Sequence, residues 1–301
     1  MPPELVDLAV RYARRPGLSA TPLPELQIVR ADRREARVYT VLRPSLCFIL
    51  QGAKEVTVGS DVLRYRSQQF LFSSVDLPAT GEVLEASPRQ PYLGLMLQIE
   101  PGVVFELASA SGRLERRATS ASKPAIFVGS DGAMTDAFMR LLRCAQDPVD
   151  ARILAPGVIR EITYRLACGP HGDVVSELGI ADSQTQRIAS AVEWLKRDYA
   201  RPIRTAELAR MARMSVSAFH HHFKKVTTLS PLQYQKRLRL HEARRLLLGD
   251  TTSAADAGFR VGYESPSQFN REYRRYFGLS PISDIKRVDP RQRGETTKTK
   301  L

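Results

Sequence analysis

Thirteen residues near the end of the chain recur at an offset of fifty: Phe219-His-His-His-Phe-Lys-Lys-Val-Thr-Thr-Leu-Ser-Pro231 and Phe269-Asn-Arg-Glu-Tyr-Arg-Arg-Tyr-Phe-Gly-Leu-Ser-Pro281. Each copy has an aromatic at its first and fifth positions, a basic pair at its sixth and seventh, and Leu-Ser-Pro at its close. Aromatics at i and i+4 share one helix face, so that face buries in a small core while the rest of the helix stays polar and basic. A short basic helix used twice constrains this part of the chain to two similar helical units. It also suits them to read two neighbouring stretches of a DNA duplex.

Charge is distributed to match. Residues 1–175 hold 21 Lys/Arg against 19 Asp/Glu, a net of +2; residues 176–301 hold 24 against 13, a net of +11, and together they make the chain's +13. A basic part attached to a nearly neutral one places the polyanion partner at the C-terminal part alone. No apolar run reaches the eighteen residues of a membrane span, and the 301-residue length allows two cores. The first segment, from Glu4 to Arg15, carries internal acids with Leu5, Leu8 and Tyr12 at helical spacing, and reads as an amphipathic helix rather than a secretion signal. Cys47, Cys144 and Cys168 are few, odd in number and widely spaced, which argues for a reducing, cytoplasmic compartment and against a disulfide framework.

Between Gln27 and Leu97, short apolar runs alternate with turn residues: Val38-Tyr-Thr-Val-Leu42, Leu46-Cys-Phe-Ile-Leu50, Glu55-Val-Thr-Val58, Gln69-Phe-Leu-Phe72 and Tyr92-Leu-Gly-Leu-Met-Leu97. This spacing predicts a small antiparallel sandwich or barrel. From about Gly132 the period becomes helical, with Ala137, Leu141 and Leu142 and then Ile153, Val158 and Ile162 facing a core. Residues 171–187 read as a linker, and a helix is expected over 188–199 with Val192 and Leu195 inward. The tail from 288 lacks apolar periodicity and reads as disordered. The expected layout is therefore a β-rich domain with following helices over 1–170, the linker over 171–187, a helical DNA-binding domain over 188–287 and a basic tail over 288–301.

The two reading units can be built stepwise. In the first, Thr205 opens a short helix with Leu208, Ala209 and Ala212 inward, and Ser215 caps a second helix over 216–226 anchored by Phe219 and Phe223. Pro231 starts a longer helix over 232–248. The second unit repeats the plan, with Ala254, Ala255 and Ala257 in its short helix and Ser265-Pro266 as cap and first helical position. Phe269 and Tyr273 point inward. Major-groove readout needs paired donors and acceptors, which makes Ser217, His220 and His221 the expected base contacts of the first unit. Ser267, Gln268, Asn270 and Arg271 are those of the second. Lys224, Lys225, Arg274 and Arg275 are placed for phosphates, which position a protein without specifying sequence.

These residues resemble the AraC/XylS family of bacterial transcription regulators, whose C-terminal domain holds two helix-turn-helix units joined by one long helix. Gly262-Tyr-Glu-Ser265, Phe269, Tyr276-Phe-Gly278 and Ser280-Pro281 match that family's signature. Gln51-Gly-Ala-Lys54, Ser74-Val-Asp-Leu-Pro-Ala-Thr-Gly81, Glu85-Ala-Ser87, Pro91-Tyr-Leu93 and Arg160-Glu-Ile-Thr-Tyr-Arg-Leu166 resemble the branch with a β-rich AraC N-terminal domain. The resemblance implies a cupin-like small barrel with flanking helices, then an all-α DNA-binding domain. It implies promoter DNA, RNA polymerase and a small-molecule effector as partners, activation of transcription, and a homodimer formed through helices in 133–166. Two departures stand out: His221 lies where many relatives have Arg, and Thr228 lies where the second copy has Gly278.

Other chemistries fit less well. His220-His-His222 cannot converge on one metal ion, because consecutive helix residues point about 100° apart. A cupin-type metal enzyme needs histidine ligands, yet the first histidine of the chain is His171, beyond the β-rich part. No catalytic residue or cofactor is expected. Arg33 and Arg37, with Asp76 opening an Asp-Leu-Pro-Ala-Thr-Gly stretch, resemble the paired arginines and Asp-x-Ser-x-x-Gly element of PilZ-type cyclic-di-GMP receptors, with Pro78 in place of the serine. Guanidinium forks suit phosphate and stack on guanine, so this resemblance implies a cyclic-di-GMP site at Arg33, Arg37 and Asp76. Cys47, on an apolar strand, is the candidate thiol sensor.

Overall fold

The computed structural model describes residues 1–111, 125–180, 182–249 and 253–288. The alternating runs form two antiparallel sheets. One has the spatial order β1 (Gly17–Ala20), β2 (Leu26–Ala31), β9 (Tyr92–Gln98), β4 (Ser45–Gln51), β7 (Gln69–Ser73), β10 (Ile126–Ser130). The other has the order β3 (Glu35–Leu42), β8 (Leu77–Glu85), β5 (Ala53–Val58), β6 (Asp61–Arg66). Register aligns Ile28, Leu95, Phe48 and Phe70 across the larger sheet, and Leu97, Leu46 and Phe72 beside them, which makes one face a continuous apolar surface. Helices cover that face, among them α1 (Pro3–Tyr12) and α3 (Gly132–Cys144). Phe48 stacks on Phe138 of α3 with ring centroids 4.9 Å apart. The opposite face brings Cys47 and Tyr92 toward Tyr65 of the smaller sheet, with Cys47 Sγ 4.0 Å from Tyr92 Oη. Burial raises both tyrosine hydroxyls above their usual titration range.

Further helices complete this layer: α2 (Pro101–Ala110), α4 (Pro148–Ile153), α5 (Ala155–Cys168) and α6 (Gly172–Gly179). Two expectations need correction. Residues 172–179 are helical rather than linker, and Val174, Val175 and Leu178 join the main core. These three apolar residues lie among glycines and acids, so their burial comes from packing on α2 and α5 rather than from a strong local signal. Ile153, expected to face the core, is 63% exposed at the end of α4, while Val158 and Ile162 are buried. A cavity of about 760 Å³ lies between residues 22–25, residues 98–103 and α4–α5. Leu23, Val103 and Ile159 contribute to its apolar lining, and Glu100, Arg152 and Arg160 to its charged lining. Glu106 binds Arg160 through both oxygens at 2.6 and 2.9 Å. Arg152 has no ion-pair partner among the described residues.

The remaining helices are α7 (Gln184–Arg197), α8 (Thr205–Met211), α9 (Val216–Thr227), α10 (Pro231–Gly249), α11 (Ala254–Arg260), α12 (Pro266–Phe277) and α13 (Pro281–Val288). By contacts the chain divides into two units, residues 1–192 with 209–230, and residues 193–208 with 231–301. The first unit therefore includes α9, where the Ala125 N–H donates to the Val226 carbonyl at 3.2 Å and Arg213 pairs with Asp182 at 2.9 Å. The second unit has its own centre: Asp284 of α13 accepts from Arg244 Nε at 2.6 Å and from the Tyr273 hydroxyl at 2.8 Å. The tail expected from 288 falls, apart from the last residue of α13, outside the described residues. No helix among the described residues is long and apolar enough to cross a membrane.

Candidate nucleic-acid interface

In the first copy of the repeat, Ser215 caps α9, its hydroxyl accepting from the Ala218 N–H at 3.2 Å. Phe219 and Phe223 are fully buried with ring centroids 5.4 Å apart, as the i, i+4 spacing requires. Ser217, His220, His221 and Lys224 are exposed, while Lys225 and His222 are half-buried. Burial is the main cause that lowers the His222 pKa, with His221 and Lys225 adding to it. The His221 and His222 rings meet edge to face at 5.3 Å. Among the described residues no group of three His, Cys, Asp or Glu side chains is placed to hold a metal.

The second copy keeps the plan and adds to it. Ser265 caps α12 through the Gln268 N–H, Pro266 occupies the first turn, and Phe269, Tyr273 and Phe277 form the buried stripe. Ser267, Gln268, Asn270, Arg271, Arg274 and Arg275 are all exposed. The two helices end alike, in a left-handed residue: Thr228 has φ 63° and Gly278 has φ 79°. In the turn before α12, Gly262 has φ 90° and lies against the Ala200 carbonyl, so a Cβ has no room there.

The groups that brace this helix come from segments far apart in the chain. Arg239 of α10 donates to the carbonyls of Tyr199, Gly262 and Ala200 at 2.8 to 2.9 Å, and so ties the end of α7 to the turn. Glu272 accepts from Lys236 at 2.9 Å, from the Tyr263 hydroxyl at 2.8 Å and from the Gln268 amide at 3.3 Å. Burial opposes ionisation of Glu272, but these three donors outweigh it and hold the carboxyl below its usual range. The one local clue was the i, i+4 spacing of Gln268 and Glu272; Lys236 is 36 residues away from Glu272.

The expected nucleotide site is not assembled. Arg33 and Arg37 are exposed, and Arg37 approaches Glu82 only at 3.8 Å. Asp76 is buried, 7% exposed, next to Leu77, which pairs with Leu42. Arg37 and Leu42 are five residues apart on one strand, about 17 Å at 3.3 Å per residue. The acid and the arginines thus sit at opposite ends of the β3–β8 ladder.

Two capped helices, each presenting polar and basic side chains above a buried aromatic stripe, define a helix-turn-helix DNA-binding protein with a β-rich domain attached. A family model described as AraC-type transcriptional regulator N-terminus matches residues 22–174, and one described as Helix-turn-helix domain matches residues 208–287. The chain belongs to the AraC family of transcription regulators, which are not enzymes. It is 33% identical to the HTH-type transcriptional activator RhaS of Klebsiella pneumoniae (strain 342) over 101 residues, which is 34% of this chain and 36% of that protein. It is 30% identical to RhaS of Escherichia coli (strain SE11) over 100 residues, 33% of this chain and 36% of that one. The match thus spans about a third of the length of these curated relatives. Among solved structures, ToxT from Vibrio cholerae aligns over 86% of this chain and 97% of its own, with TM-score 0.54 and 10% identity. ToxT with a bound unsaturated fatty acid aligns over 87% and 94%, with TM-score 0.51 and 9% identity. Likeness at that identity concerns the fold alone.

Proposed function

We propose that this protein binds promoter DNA in a sequence-specific manner and activates transcription in response to a small molecule sensed by its first unit. The observation that carries this reading is the outer face of α12, where Ser267, Gln268, Asn270 and Arg271 are exposed just after a capped N-terminus. Arg271 and Gln268 carry the donor and acceptor pairs that guanine and adenine require. Ser217, His220 and His221 play the corresponding part on α9, and Lys224, Lys225, Arg274 and Arg275 take phosphates. The relatives named as transcriptional activators support the sign of regulation, with RNA polymerase as the further partner.

Selection of a binding site followed by competition assays tests the reading. Arg271→Ala should lose about 1–3 kcal/mol of discrimination at one base pair, whereas Arg274→Ala should weaken all sequences alike and reduce the salt slope by about 1. Equal weakening on selected and random duplexes by Arg271→Ala would remove it from the base contacts.

The cavity of about 760 Å³ in the first unit is the proposed effector site, of the size and apolar character usual for small ligands. Arg152 offers a cation to an acidic ligand, and organic acids are the first compounds to titrate, ToxT having been solved with a fatty acid bound. Cyclic-di-GMP belongs in the same titration, although the separation of Asp76 from Arg33 and Arg37 speaks against a shared nucleotide site. A homodimer through the helices in 133–166 is supported by exposed Val149, Ile153 and Leu154, on and just after α4. Sedimentation of the protein as a monomer at micromolar concentration would argue against it. If no ligand in the titration alters promoter binding, the ligand-independent regulator becomes the better reading.

A further inference from the structure

The exposed base-reading face of α12 is coupled to the interior of the second unit by a single carboxylate. Glu272 lies one helical turn beyond Gln268, and its Oε1 accepts from Gln268 Nε2 at 3.3 Å. The same oxygen accepts from Lys236 of α10 at 2.9 Å, and the other oxygen accepts from the Tyr263 hydroxyl at 2.8 Å. Tyr263 is itself 5% exposed and packs edge to face on Phe269 at 5.3 Å. The carboxylate is therefore held on both sides and cannot swing away from the reading face. An ionised carboxylate only accepts hydrogen bonds, so the Gln268 amide must turn its NH2 group inward to Glu272 and its oxygen outward. The reversed amide would set two oxygens against each other.

We infer that Glu272 is a specificity-determining positioning residue, which fixes Gln268 as an outward acceptor and thereby selects a base that donates into the major groove. Adenine N6 and cytosine N4 donate there, whereas guanine O6 and thymine O4 accept. Adenine is favoured further, because the second Gln268 Nε2 hydrogen is left for its N7. Without Glu272 the amide is free to turn over, and amino and keto bases become nearly equivalent to it.

This inference rests on the reading of Gln268 as a base contact, and the test separates the two. Affinities of the full-length protein are measured on duplexes in which each base pair of a selected site is varied in turn. Gln268→Ala identifies the base pair it contacts by flattening the preference there. The expected result is a wild-type preference for adenine or cytosine over guanine and thymine at that position, of about tenfold. Glu272→Ala should remove it, adding Gln268→Ala should change nothing more, and affinity for random DNA should stay within about twofold. Glu272→Gln keeps a single acceptor oxygen, which can face Lys236 and Gln268 while its NH2 faces the Tyr263 hydroxyl, so it should retain at least part of the preference and guards against a simple folding defect. A wild-type preference for guanine or thymine at the position, or an unchanged preference in Glu272→Ala, overturns the inference while leaving Gln268 a base contact. No flattening anywhere by Gln268→Ala removes the base contact, and the inference falls with it.

Discussion

At Thr228 and Gly278 the same helix ending is built from opposite materials. Both residues adopt a left-handed conformation, which costs a side-chain-bearing residue about 1 kcal/mol and costs glycine nothing comparable. The Thr228 hydroxyl is also buried without a hydrogen-bond partner among the described residues. Thr228→Gly should therefore stabilise the protein by about 1 kcal/mol, and Gly278→Ala should destabilise it by a similar amount. Chemical unfolding of both variants checks this; a loss of stability in Thr228→Gly would mean that the threonine contacts matter more than its strain.

Elements of the second unit are joined by two buried polar connections that respond differently to perturbation. Asp284 of α13 binds Arg244 of α10 and Tyr273 of α12, and both members of the ion pair are largely buried, 8% and 16% exposed. Asp284→Ala removes the carboxylate that pairs with the largely buried Arg244 and should cost about 3–5 kcal/mol, whereas Asp284→Leu combined with Arg244→Met should be far milder. If thermal unfolding shows the double variant to be as damaged as the single, the unbalanced ion pair is not the cause. His241 of α10 lies 2.9 Å from the Tyr276 hydroxyl, and burial, helped by Arg237 and Arg244, pushes its pKa down to about 3. Unfolded, it titrates near 6.5. Between these values the unfolded state takes up a proton that the folded state excludes, so this contribution is whole above about pH 6.5 and shrinks as pH falls toward 3. The slope is at most about 1.4 kcal/mol per pH unit. His241→Gln should flatten the loss of stability between pH 6.5 and 4.5; an identical slope in both proteins would show the histidine to be solvated.

Across the molecule, local spacing was readable and convergence was not. The i, i+4 aromatics of both copies, Phe219 with Phe223 and Phe269 with Tyr273, are buried as their spacing demands, because helix periodicity is a property of neighbours. The strand alternation around Phe48 and Leu95 was legible for the same reason. The grip of Arg239 on Tyr199, Ala200 and Gly262, the bracing of Glu272 by Lys236 and the cavity walls each join segments far apart in the chain, which no local pattern encodes. Helix α6 carries no local signal, because three apolar residues among glycines need a partner surface before they become a helix. The placement of α9 in the first unit, with Val226 bonded to Ala125, has a kinetic corollary. Amides of α9 should exchange with deuterium in step with the β-sheets, as one cooperative opening, while amides of α12 follow the separate opening of the second unit. A ligand that tightened the sheets would then slow exchange along α9 and leave α12 at its own rate, so that occupancy of the proposed effector site would be written unequally into the two helices.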